Sequence, residues 1–219
     1  MRDRRPLIFG AAVAASSFLL LLALTLLADR GPLAIDRWWQ PVVATLHSPP
    51  ATSVLTVVSD MSSRLIGKLV VPVVVVLAFL ARRRWADALT FAVTVAASAV
   101  IVWTLKDLIA RPRPGAGSLD TSYAFPSGHV TNAATVAVLL AVLLGRRWLL
   151  ALALVWAAVM AVSRTYLGFH WLTDTLAGIC LGTLLALVAV LVQDGVTRLR
   201  GRPAERERSG ARAATSRGA

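Results

Sequence analysis

Cysteine and acidic residues are both scarce in this sequence, and each shortage closes off a class of function. Cys180 is the only cysteine in 219 residues. No intrachain disulfide can form, and a thiolate metal site has no ligand set. Asp and Glu number 11 against 23 Lys and Arg, and the acids are scattered. Mg²⁺ therefore finds no carboxylate cluster. Charged residues of both signs make up only 16% of the chain and hydrophobic residues 57%. A soluble domain carries about 25% charge, so the composition excludes an ordinary soluble protein. The formal net charge of +12 would suit a nucleic-acid partner, but its distribution argues against one. The arginines cluster at the ends of apolar runs, which is how orientation in a bilayer is encoded.

Those runs are long. After a basic 1–5, residues 6–28 carry no charge. A spanning helix needs about 20 apolar residues and a signal-peptide core only about 7–15, so 6–28 reads as an uncleaved first span. Prolines 32, 41, 49 and 50 break up 29–63, which reads as one or two short helices at the outer surface, with Trp38 and Trp39 at headgroup level. His47 in that segment reads as an ordinary loop histidine. Further spans are expected at 65–81, 88–105, 129–145, 148–163 and 171–192. The basic clusters 2–5, 82–84, 146–147 and 198–217 then share the cytoplasmic side. The segments 29–63, 106–128 and 164–170 share the other. The expectation is an all-α, multi-pass cell-membrane protein with six transmembrane helices. Residues 1–197 form the membrane domain, and 198–219 form a disordered basic cytoplasmic tail loosely held by anionic lipid. Both termini are expected inside. Nothing fixes the oligomeric state, and a homo-oligomer is left open.

Three polar stretches interrupt this plan on the outer side. Residues 106–114 read KDLIARPRP and put Lys106, Arg111 and Arg113 near the end of the third span. Cations at a helix end can be snorkelling anchors. Three in a proline-stiffened outer loop fit an anionic ligand better. Residues 126–129 read Pro-Ser-Gly-His before an apolar run. Ser127 is a natural N-cap, Gly128 allows close backbone approach, and the helix terminus presents N–H groups to an anion beside His129. That turn alone is weak evidence, since many helices begin so. Residues 163–174 place Arg164, His170 and Asp174 between two apolar segments, where charge is costly without a task. Asp174 follows His170 by four residues. On a helix that spacing lets a carboxylate orient an imidazole nucleophile. It equally describes a helix-end histidine with a capping acid.

Together, Lys-x6-Arg-Pro, Pro-Ser-Gly-His and Ser-Arg-x5-His-x3-Asp resemble the three-part signature of the type 2 phosphatidic acid phosphatase family. Its superfamily also includes vanadium haloperoxidases and bacterial acid phosphatases. The resemblance implies that Lys106, Arg113, Ser127, Gly128 and Arg164 hold a phosphate. It implies that His170 is the nucleophile, that Asp174 orients it, and that His129 is the general acid and base. It implies a lipid phosphatase that needs no metal or other cofactor and works at the extracytoplasmic ends of the spans. Its substrate would be a lipid phosphate such as undecaprenyl pyrophosphate, phosphatidic acid or phosphatidylglycerophosphate. The alternatives are a lipid-linked phosphotransferase, which would need an acceptor pocket, a haloperoxidase, which six spans argue against, and a non-catalytic scaffold, which has no use for this set of side chains.

Overall fold

The structure, a computed structural model, describes residues 3–62, 66–114 and 122–216. Among these residues it is all helical. α1 is Arg5–Leu27, α2 Ala34–Thr45, α3 Pro49–Ser62, α4 Val71–Ala81, α5 Trp85–Ile109, α6 Gly128–Leu144, α7 Arg147–Tyr166 and α8 Leu172–Ser216. A π-helical turn, Ile66–Val70, leads into α4. Pro72, expected inside a span, stands in the first turn of α4. There its missing N–H costs nothing and its fixed φ suits the helix.

Among the described residues, four helices are long and apolar enough to cross a membrane: Arg5–Leu27, Trp85–Ile109, Trp148–Tyr166 and Leu172–Leu199. Val71–Ala81 and Gly128–Leu144 are apolar but shorter. At 1.5 Å per residue α6 reaches only about 25 Å. Large apolar side chains such as Phe9, 72% exposed, and Leu27, 85% exposed, face outward, as they must in a bundle clad in lipid.

α6 is the central helix. It packs on α5, α7 and α8, while α1 lies along α8. Small residues bring α6 and α8 together. A Cβ added at Gly178 would stand 2.9 Å from the Ser127 carbonyl, and one at Gly182 would stand 2.5 Å from the Thr131 carbonyl. Such contact is how helices associate where lipid removes the hydrophobic drive between them. One buried cluster joins Phe18 of α1, Val102 and Ile109 of α5, Phe125, and Ala177 and Leu181 of α8. It underlies the end of the bundle where the three polar stretches meet.

Helix ends follow from local chemistry. α5 stops at Ala110, in the left-handed region at φ 50°, just before Arg111-Pro112, where proline disfavours helix in the residue ahead of it. α6 stops at Gly145, φ 66°. The segment between α1 and α4 forms two short helices, as its prolines suggested. α8 keeps helical backbone through Ser216, across the stretch read from sequence as an unstructured tail. Ala, Arg and Glu are strong helix formers and propagate a helix already started in the apolar part. The middle of the loop after α5, including Asp120, and residues 217–219 lie outside the described residues.

Candidate active site

The three polar stretches converge although side chains that meet are up to 63 residues apart in sequence. Arg113 Nη1 donates to the Phe169 carbonyl (2.7 Å), and Trp171 Nε1 donates to the Pro112 carbonyl (2.9 Å). The Ser127 N–H donates to the Asp174 carbonyl (3.0 Å). The start of α6 is thereby tied to the start of α8, and the loop after α5 to the turn before α8.

A cavity of about 650 Å³ opens at this junction. One end is polar, lined by Lys106, Arg113, Ser122, Gly128, His129 and His170. The long wall is apolar and comes from α4 and α5, with Val76, Leu77, Ala96 and Trp103 among its residues. Lys106 is buried in the last turn of α5 and donates to the Tyr123 carbonyl. Arg113 is braced through Nε on the Ser122 carbonyl (2.7 Å) and Nη2 on the Ser122 hydroxyl (2.7 Å). α6 points its N-terminus, with its N–H groups and positive dipole end, at the same space.

Ser127, Arg164 and Asp174 lie behind that surface. Arg164, in the last turn of α7, donates through Nη1 to the Ser59 hydroxyl (2.6 Å), and its guanidinium lies 4.1 Å from the Phe169 ring centroid. Ser127 occupies the N-cap position of α6 as expected, but its side chain makes no capping bond. Its hydroxyl is fully buried and has no hydrogen-bond partner among the described residues, an arrangement that is costly for a polar group.

His170 sits in the turn between α7 and α8, 1% exposed. Its Nδ1 lies 3.7 Å from Asp174 Oδ2, beyond hydrogen-bond length. With Nδ1 facing the carboxylate, Nε2 is the nitrogen left for chemistry. Burial, then the positive charges of Lys106, Arg164 and Arg113, push the His170 pKa well below the ordinary imidazole value, and His129 adds to this. Its lone pair is therefore available at neutral pH. Asp174 also accepts from the Trp171 N–H at 2.9 Å. The acid thus caps its own helix and also faces the imidazole, without a hydrogen bond to it.

One sequence expectation is corrected here. Arg111 does not join the anion-binding cations. It is fully buried and turned away from the cavity. Its Nη1 donates to Asp174 Oδ1 (2.5 Å) and the Thr173 hydroxyl (2.8 Å), and its Nη2 to Asp36 Oδ2 (2.8 Å) and the Gly31 carbonyl (2.9 Å). Two carboxylates outcompete an open cavity for a guanidinium fork. Asp36 was missed altogether. The signal available was an acid three residues after Leu33, at the N3 position of an amphipathic α2. The Gly178-x3-Gly182 spacing in an apolar run likewise signals close helix packing. Among the described residues, no group of three or more His, Cys, Asp or Glu side chains is placed to hold a metal ion.

Comparison with known proteins agrees with this geometry. The family model described as PAP2 superfamily matches residues 87–198. Phosphatidylglycerophosphatase B of Bacillus subtilis is 28% identical over 169 residues, 71% of this chain and 81% of that one. Decaprenylphosphoryl-5-phosphoribose phosphatase of Mycobacterium tuberculosis is 31% identical over 182 residues, 80% of this chain and 98% of that one. The crystal structure of a transmembrane PAP2-type phosphatidylglycerolphosphate phosphatase from Bacillus subtilis superposes with a TM-score of 0.73 at 26% identity, covering 86% of this chain and 98% of that one.

Proposed function

Because this chain belongs to the PAP2 superfamily, we propose that it hydrolyses the phosphate or diphosphate of a membrane lipid through a phosphohistidine at His170. The observation that carries this reading is the cavity, charged at one end and apolar along its wall. A phosphate headgroup fits the charged end, and an acyl or prenyl chain fits the wall formed by α4 and α5. The two shorter apolar helices complete six spans. The Arg clusters put both termini in the cytoplasm and the site on the outer side.

In the first step the Nε2 lone pair of His170 attacks phosphorus, and the bond to the leaving oxygen breaks. His129 gives that oxygen a proton. Lys106, Arg113 and Arg164 neutralise the equatorial oxygens, and the Ser127 hydroxyl and the Gly128 N–H donate to them. Positioning and charge supply most of the catalysis in phosphoryl transfer. In the second step water attacks the phosphohistidine, His129 accepts the water's proton, and the P–N bond breaks. The ring closes on Asp174 through Nδ1–H, and the carboxylate stabilises the positive charge that develops on it. A separation of 3.7 Å leaves only a small movement of the ring to make that bond.

The test is phosphate release by purified protein from undecaprenyl pyrophosphate, phosphatidic acid, phosphatidylglycerophosphate and a short soluble phosphate ester, with and without EDTA. Lipid substrates should lead, EDTA should change nothing, and vanadate should inhibit. Activity lost to EDTA and restored by Mg²⁺ would refute the mechanism. Phosphate passed to an added hydroxyl acceptor rather than to water would make the protein a transferase.

A further inference from the structure

We infer that Arg111 and Asp36 are positioning residues for the reaction, forming a buried chain from α2 through Arg111 to Asp174 and so to His170. This rests on the His170 reading above and extends it to two residues to which the resemblance gave no role, one of them, Asp36, outside the three motif stretches.

Every link is on the page. Asp36 Oδ1 accepts from the Thr173 N–H at 2.9 Å, and both Asp36 oxygens lie within 3.0 Å of the Thr173 hydroxyl. Asp36 Oδ2 also accepts from the Leu33 N–H (2.9 Å), which fixes the carboxylate to its own helix start. Arg111 then bridges Asp36 and Asp174, and all three side chains are fully buried. Asp174 has two oxygens with separate duties. Oδ1 takes Arg111, while Oδ2 takes the Trp171 N–H and faces His170 Nδ1. A carboxylate held at both oxygens cannot rotate, so the side that meets the imidazole is set before substrate arrives. That is preorganisation of an orienting group.

A buried ion pair is weak evidence for a stability role, because its desolvation offsets most of its attraction. A simple tie between α2 and α8 needs no guanidinium, since Thr173 already reaches Asp36 directly. What Arg111 adds is a charge and a fixed fork on the carboxylate that serves His170. The chain carries one net negative charge across Asp36, Arg111 and Asp174. It faces a ring otherwise surrounded by Lys106 on α5, Arg113 in the following loop, His129 on α6 and Arg164 on α7.

The experiment uses Asp36→Asn, Arg111→Met and Arg111→Lys in the full-length protein, with kcat, KM and the pH dependence of kcat/KM for one lipid phosphate. Removing the Asp36 charge leaves His170 more positively surrounded, so the acid limb should move to lower pH. Removing the Arg111 charge should move it to higher pH. Each shift should be on the order of one pH unit at an effective dielectric near 20, the larger one for Arg111→Met because Arg111 is one link nearer to His170. Arg111→Lys should keep the wild-type limb while losing the fork. All three should lower kcat by about 10- to 100-fold with KM little changed, the effect of a misplaced reacting group. Acid limbs that stay in place, or that move in the same direction in Asp36→Asn and Arg111→Met, would overturn the inference and leave a structural tie. If Arg111→Met does not fold, the near-isosteric Asp36→Asn and the charge-conserving Arg111→Lys decide in the same terms. An inactive wild-type protein would instead sink the phosphatase reading, so the two failures are distinct.

Discussion

Gly182→Ala should damage catalysis from well below the site. A methyl group at Gly182 would meet the Thr131 carbonyl at 2.5 Å, the Ala134 Cβ at 2.8 Å and the Thr135 nitrogen at 2.9 Å. Two of these are backbone atoms of α6 and have no rotamer by which to retreat. Ordinary contact begins near 3.4 Å, so α6 must move off α8 by something on the order of 1 Å, and a misplacement of that size costs about 100-fold in rate. The same overpacking costs about 1–3 kcal/mol, against roughly 1 kcal/mol of helix propensity gained by replacing Gly with Ala. The balance is destabilising and lowers Tm by a few degrees for a chain of this size. Because α6 begins at Gly128 and His129 while α8 begins beside His170, the displacement separates the proposed acid, His129, from the proposed nucleophile, His170. Gly178→Ala meets the Ser127 carbonyl at 2.9 Å and should behave similarly. Gly195→Ala, on the same helix, meets only the end of the Arg4 side chain at 3.4 Å and serves as the control. The assay is thermal unfolding in detergent alongside kcat on a lipid phosphate. Wild-type Tm and kcat in Gly182→Ala would refute the claim that this contact sets the site.

Other outcomes follow from the site itself. His170→Ala should abolish phosphoenzyme, whereas His129→Ala given an aryl phosphate should release the phenol once and stall with acid-labile label, since a general base is worth about 10²–10⁴-fold; label in His170→Ala but none in His129→Ala would reverse the two roles. The acid limb of kcat/KM should lie below the ordinary imidazole range, because the nucleophile must be neutral and burial and cations depress its pKa. Protonation on falling pH then removes activity only once pH passes that lowered value. Lys106→Gln should move this limb upward, and a limb unchanged by Lys106→Gln would show that the cation does not act on His170. A cysteine at exposed Tyr123 should react with an impermeant reagent on intact cells, and a reporter fused after Arg200 should be cytoplasmic. Labelling only after permeabilisation would invert the topology.

The parts of the site legible in sequence were those whose meaning lies in local spacing. Lys106 and Arg113 are seven residues apart, His170 and Asp174 four, and Pro126 to His129 are contiguous, so each group could be read within one short stretch of sequence. Apolar runs likewise located where the long helices begin to within a few residues, although α8 continues well past the expected end of its span. What escaped depended on pairing across the chain. Arg111 read as a third cation for an anionic ligand because Lys106 and Arg113 lie beside it in sequence, and only the fold brings Asp36 to it over 75 residues. Ser127 was legible as a cap by residue type and place, but whether its hydroxyl turns to the backbone depends on how α8 packs against it. The apolar wall of the cavity was invisible for a simpler reason. Inside an apolar protein, Val76 and Leu77 look the same whether they meet a neighbouring helix or a ligand.

That wall has a consequence for how rates on this protein must be measured. A ligand that lies along α4 and α5 while its phosphate meets Lys106 and His170 is drawn from the plane of the bilayer. The relevant concentration is then a mole fraction among lipids. Diluting substrate with inert lipid at constant total amount should slow turnover, while adding more vesicles of the same composition should not. Alkyl detergents should compete for the same apolar wall, so an apparent KM in micelles should rise with detergent at fixed substrate.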